Sequence, residues 1–131
     1  MKRILILAGI VCLSLALLSG ADKKKKPPDI QIVECSGRRA DNRITFDGKV
    51  RNTGEKTIHG LVLLFDFLSS DNVILTTLNG PVEEEVLESG KESTFHLEAD
   101  APPRAVRYQL NAVDHSGRDL RVANAGPFAI E

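Results

Sequence analysis

Between Gly48 and Phe67 the sequence runs Gly-Lys-Val-Arg-Asn-Thr-Gly-Glu-Lys-Thr-Ile-His-Gly-Leu-Val-Leu-Leu-Phe-Asp-Phe, a pattern that two strands around a tight polar turn accommodate and a helix does not. Before the turn, Ile44, Phe46, Gly48 and Val50 share one face while Thr45, Asp47, Lys49 and Arg51 share the other. After it, from about Thr57 to Leu68, Leu61, Leu63, Phe65 and Phe67 point one way. The opposite parity of this second strand holds Val62, Leu64 and Leu68, with Asp66 as its one charge. A strand apolar on both faces must be covered on both, by the chain or by a partner. Val62, Leu64 and Leu68 are therefore a candidate interface, and Asp66 on the same face is expected to tolerate substitution unless that face is buried.

The alternation continues at short intervals. Asp29-Ile30-Gln31-Ile32-Val33-Glu34-Cys35 predicts a first strand, broken by the polar run from Ser36 to Asn42. Ser69-Ser70-Asp71-Asn72 predicts a hairpin into Val73 to Leu78, which Asn79-Gly80-Pro81 should interrupt. Glu83-Glu84-Glu85 reads as a charged connection and Leu87-Glu88-Ser89-Gly90-Lys91 as a turn into a strand at Ser93 to Leu97. Ala101-Pro102-Pro103 blocks its continuation, Val106 to Val113 follows, and beyond the turn His115-Ser116-Gly117-Arg118 come short pairing segments around Leu120 to Val122 and Phe128 to Ile130. About seven strands and no amphipathic helix beyond the first apolar segment predict an all-β chain, an antiparallel sandwich of Ig-like or fibronectin-III-like type. Phe46, Val50, Leu63, Phe65, Phe95, Tyr108 and Leu110 are expected to converge between its sheets.

Ahead of that domain, Met1-Lys2-Arg3, the apolar run Ile4 to Leu18 and the small residues Ser19-Gly20-Ala21 follow the pattern of a secretory signal, with cleavage expected after Ala21. The chain divides on this reading into a signal peptide at 1–21, a linker at 22–29 and a β-sandwich at 30–131, in a periplasmic or extracellular setting. An uncleaved membrane anchor is the alternative, since Lys23, Lys24, Lys25 and Lys26 place dense positive charge just past the apolar run. Those four lysines, followed by Pro27-Pro28, predict an extended, solvated linker and a candidate tether to a polyanion. Membrane contact is expected only through the signal or this linker. Loss of Lys2 and Arg3 leaves 15 basic residues against 18 acidic ones, a charge of −3, which offers no bulk basic surface for nucleic acid. Of the two cysteines only Cys35 lies beyond the signal, so packing rather than a disulfide must stabilise the domain.

The segment from Gly48 to Ile58, the long strand after it, the turn Ser70-Asp71-Asn72-Val73 and the Leu87-x-x-Gly90-x-x-x-x-Phe95 spacing resemble the FxLYD domains, small Ig-like sandwiches of exported bacterial and archaeal proteins. The resemblance spans roughly Ile44 to Val113, with the family signature in register with Phe65-Asp66-Phe67-Leu68-Ser69. It implies a sandwich fold and an extracytoplasmic location, and it brings no catalytic residues.

The chemistry-bearing residues agree. His59, His96 and His115 are the only histidines, and none lies at ligand spacing from another or from Cys35 in sequence, although His59 and His96 fall near strands that could bring them together. Glu83-Glu84-Glu85 with Glu88 lacks the loop that would bend around calcium. No nucleophile elbow is present. With no Trp and one Tyr, the chain has few aromatic platforms for sugar stacking. No catalytic, cofactor or metal residue is assigned. The expected function is that of a non-enzymatic exported module for protein interaction or envelope structure, its partner another envelope protein or a second copy. The alternative is a periplasmic small-ligand or metal carrier binding copper or zinc through the histidines and Cys35.

Overall fold

The computed structural model describes residues 27–131; the expected signal peptide and the Lys23–Lys26 tether lie outside the described residues. Eleven strands follow one another: β1 Ile30–Ala40, β2 Arg43–Asn52, β3 Ile58–His59, β4 Val62–Leu68, β5 Ile74–Pro81, β6 Val86–Leu87, β7 Glu92–Asp100, β8 Arg107–Val113, β9 Asp119–Leu120, β10 Val122–Ala123 and β11 Phe128–Ala129. One sheet has the order β10-β1-β2-β7, the facing sheet the order β11-β8-β4-β5 with β9 also on β8, and β3 and β6 form a small ribbon of their own. The two sheets are the sandwich that the alternation predicts. Every pairing is antiparallel except β1 with β10, where the chain returns beside its own beginning.

The inward parity is as expected. Leu61, Leu63, Phe65 and Phe67 are buried, and so are Phe46, Val50, Phe95, Tyr108 and Leu110. Phe46 is the centre of the aromatic contacts, with ring centroids 4.6 Å from Phe65, 4.7 Å from Tyr108 and 5.7 Å from Phe67. Such tilted and edge-on pairs add to the burial of the rings themselves.

Several strand boundaries differ from the expectation, among them the end of β7, which runs past Leu97 to Asp100 in pairing with β2, and three others are instructive. β1 does not stop at Cys35 but runs through Ser36-Gly37-Arg38-Arg39-Ala40, paired residue for residue with β2 from Asp47 back to Arg43, and turns only at Asp41, where φ is 58°. Gly37, read as a breaker, is needed there: a Cβ would lie 2.8 Å from the Tyr108 ring and 2.9 Å from that of Phe46. The strand expected from Thr57 to Leu68 is split at Gly60, whose φ of 60° turns β3 out of the main sheet to pair with β6. β5 continues through Asn79-Gly80-Pro81 because it is the outermost strand of its sheet, where a proline costs no ladder bond on the open side.

One side of the sandwich is closed by the C-terminal segment. β9 and β11 bond to β8, β10 bonds to β1, and at the end Glu131 receives the Arg39 N–H and donates to the Gly37 carbonyl, both at 2.8 Å. Pro28 and Asp29, read as the end of a solvated linker, are tied down as well. The Asp29 carboxylate accepts the Arg121 N–H at 2.8 Å, and the Asp29 carbonyl accepts those of Thr53 and Gly54.

Candidate functional site

The outer face of the β11-β8-β4-β5 sheet carries the residues singled out on β4. Pairing puts Val113, Asn111, Gln109 and Arg107 of β8 beside Val62, Leu64, Asp66 and Leu68, and Pro81, Asn79, Thr77 and Ile74 of β5 on their other side. The structure divides the three apolar candidates. Leu68 is only 2% exposed. Arg107 stands opposite it and donates to the Asn72 side chain at 2.8 Å and the Ser70 carbonyl at 3.0 Å, which draws the β4–β5 turn over that end of the face. Leu68 is thus covered by the chain itself and is withdrawn as an interface residue. Val62 and Leu64 stay half-buried on the uncovered part.

Asp66 lies on the same face between Leu64 and Leu68 and is 6% exposed. Its carboxylate accepts hydrogen bonds from Thr77 Oγ1 at 2.7 Å, Asn111 Nδ2 at 2.7 Å and Gln109 Nε2 at 3.2 Å. A carboxylate taken out of water needs such donors, and these come from the strands on both sides, so Asp66 ties three strands together. The expectation that it tolerates substitution does not hold, because its face is buried at this point.

The two open strand edges differ in character. Along β7 the connection after β5 covers only the first half, through the Val82–Phe95 bridge and the Glu83 N–H to Thr94 carbonyl bond of 2.9 Å. The remainder, His96 to Asp100, carries Glu98 and Asp100 and is shielded by charge. β5 has its partner β4 on one side and none on the other among the described residues, and from Ile74 to Pro81 it bears no charged side chain. At its start Val73 and Ile74 are 57% and 54% exposed. Sequence reading passed over this edge because its position depends on sheet order; the absence of charge in Ile74-Leu75-Thr76-Thr77-Leu78-Asn79-Gly80 was the available signal.

Two of the three histidines meet in the structure. His96 does not meet His59; it lies on the outer face of the other sheet, with Nδ1 2.6 Å from the Asp47 carboxylate across the strand. That hydrogen bond raises the His96 pKa above its ordinary 6.5. His59 instead meets His115, with ring centroids 6.0 Å apart. Together with Gly60, Glu85 and Val86 they line a surface depression of about 520 Å³. Among the described residues no group of three or more His, Cys, Asp or Glu side chains is placed to hold a metal ion. Cys35 joins no histidine. It is half-buried with Sγ 3.2 Å from the Tyr108 hydroxyl, and burial pushes its thiol pKa up. Burial, followed by the bond to Cys35, raises the phenol as well. Both groups are protonated at neutral pH, which leaves the sulfur a weak nucleophile and metal ligand.

No family model matches the sequence, and no curated protein matches it. Solved structures do share the fold. A β-glucuronidase 2 of Bacteroides uniformis, described as a calcium-binding mutant, superposes with a TM-score of 0.55 and 18% identity over 79% of this chain. A β-glucuronidase of the same organism gives 0.52 and 16% over 72%, and a glycoside hydrolase family 2 β-glucuronidase gives 0.51 and 11% over 78%. The chain spans 14%, 14% and 13% of those enzymes respectively. At these identities the likeness shows a shared β-sandwich fold.

Proposed function

We propose that this protein is a non-enzymatic, exported binding module of the FxLYD type that takes a strand of another envelope protein onto its β5 edge. The observation that carries this reading is the uncharged open edge from Ile74 to Asn79, flanked by the exposed Val73 and by the half-buried Val62 and Leu64. Natural sheets protect long edges with charge, proline or a covering segment. Here the other open edge has charge and the β1 side has the C-terminal cover, whereas β5 has only Pro81 at its end. An added strand would bond to the free backbone groups and seat alternate side chains against the sheet face. The outer face of the opposite sheet is unsuited to such contact, since Arg51–Glu92, Arg43–Asp100 and His96–Asp47 pairs cover it with solvated charge.

Photo-crosslinking side chains placed at Thr76 and Asn79 on β5, and at Glu98 on β7, test the reading in cells that make the protein. Crosslinks to one defined polypeptide from the two β5 positions and none from Glu98 are expected. Equal labelling from all three positions would overturn the assignment of the edge, and mass spectrometry of the product distinguishes a second copy from another envelope protein.

A further inference from the structure

His59 and His115 come from segments far apart in sequence, yet both are held by backbone rather than by their own side chains. β3 is fixed by pairing with β6, His59 opposite Val86, and the Gly60 N–H donates to the Glu85 carbonyl at 2.8 Å. His115 sits on a turn pinned by Asp114, whose carboxylate accepts the N–H and hydroxyl of Ser116 at 3.0 and 2.7 Å and the N–H of Arg118 at 3.0 Å. The two segments are then joined directly, by the His115 N–H donating to the His59 carbonyl at 3.0 Å. Gly60 allows the close approach, since a Cβ there would lie 2.9 Å from that of His115. The result is two exposed imidazoles at 6.0 Å between ring centres, opening on a depression with Glu85 at its edge.

We propose that His59 and His115 form a two-imidazole site for a divalent transition metal ion, with water completing the coordination. With metal–nitrogen bonds of about 2.0–2.1 Å, two imidazoles on one tetrahedral ion have ring centres about 5 Å apart, so small side-chain rotations bring this pair into position. Imidazole ligands suit copper, nickel and zinc, with copper bound most tightly of the three. Glu83, Glu84, Glu85 and Glu88, all exposed, place negative charge on the neighbouring connection and favour a cation there. Cys35 takes no part: it sits on β1, against Tyr108. The site is independent of strand addition at β5, and either can fail without the other.

The test is titration of the untagged protein with Cu²⁺, Ni²⁺ and Zn²⁺ at neutral pH, followed by calorimetry and, for copper, by visible absorption. One equivalent of Cu²⁺ should bind, and His59→Ala and His115→Ala should each weaken it by about tenfold or more, because loss of either ligand removes the intramolecular second contact. His96→Ala should bind as the wild type does. Both site histidines are exposed, so the variants should melt with the parent, and melting curves check this. Wild-type affinity in either site variant, or wild-type binding no tighter than that of the doubly substituted protein, would overturn the proposal.

Discussion

Asn52 shows how much one side chain can hold in a domain without disulfides. It is fully buried, and its amide donates to the carbonyls of Lys56 at 2.8 Å and Leu87 at 2.9 Å while accepting the Gly54 N–H at 3.0 Å. One residue thus closes the turn after β2 and binds it to β6. Asn52→Ala takes the hydrogen-bond partner from all three backbone groups, and a loss of about 1–3 kcal/mol is expected in denaturant unfolding. His96 makes the opposite kind of contribution, exposed and dependent on pH. Its folded pKa is raised by Asp47, so the pair stabilises fully below the unfolded value near 6.5 and loses its effect as pH rises through the folded value. Melting temperatures from pH 5.5 to 8.5 should therefore decline more steeply in the wild type than in Asp47→Asn, and parallel curves would show that the pair has no energetic role.

At the scale of the element, β4 is the strand on which the second sheet depends. It lies between β5 and β8, its inward residues fill the space beneath Phe46, and its outward Asp66 bonds to both neighbours. Phe65→Ala empties a site bounded by Phe46 and by Phe95, whose ring centroid is 5.9 Å away, and should cost about 3–5 kcal/mol in denaturant unfolding. A parent-like midpoint for that variant would contradict the packing described. The strand was legible in the sequence as an apolar run of strand length bounded by turn residues, even though both of its parities are largely apolar. Its start was not, because Thr57 to Leu68 reads as one run and only the pairing of β3 with β6 separates the first residues from the rest. The two-histidine cluster was hidden for the same reason: His59 and His115 become neighbours only once β3 is turned out at Gly60.

At the scale of the molecule, the final residues act as a closure. Phe128 pairs with Tyr108, its ring centroid 5.4 Å away, Ile130 bonds to Val106, and Glu131 bridges to Gly37 and Arg39 of the other sheet. Removing residues 126–131 should expose Tyr108 and the β1 edge, lowering the melting temperature markedly in a domain whose whole stability is on the order of 5–15 kcal/mol. It should also promote self-association, since a freed backbone edge is a template for pairing. Size-exclusion chromatography of the shortened chain at rising concentration reads that effect directly, and a monomer that melts as the full chain does would refute the closing role.

The all-β class, the inward set from Phe46 to Leu110 and the two parities of β4 followed from the sequence alone, because successive side chains of a pleated strand point to opposite faces, a period of two that needs no partner to be visible. The tertiary structure decided what depends on neighbours. It carried β1 past Gly37 beneath two aromatic rings, buried Leu68 and Asp66 on the face read as outward, left β5 as the open edge, and set His59 beside His115. In each case the determining contact joins residues distant in the chain, and alternation along one strand holds no information about which strand will lie beside it.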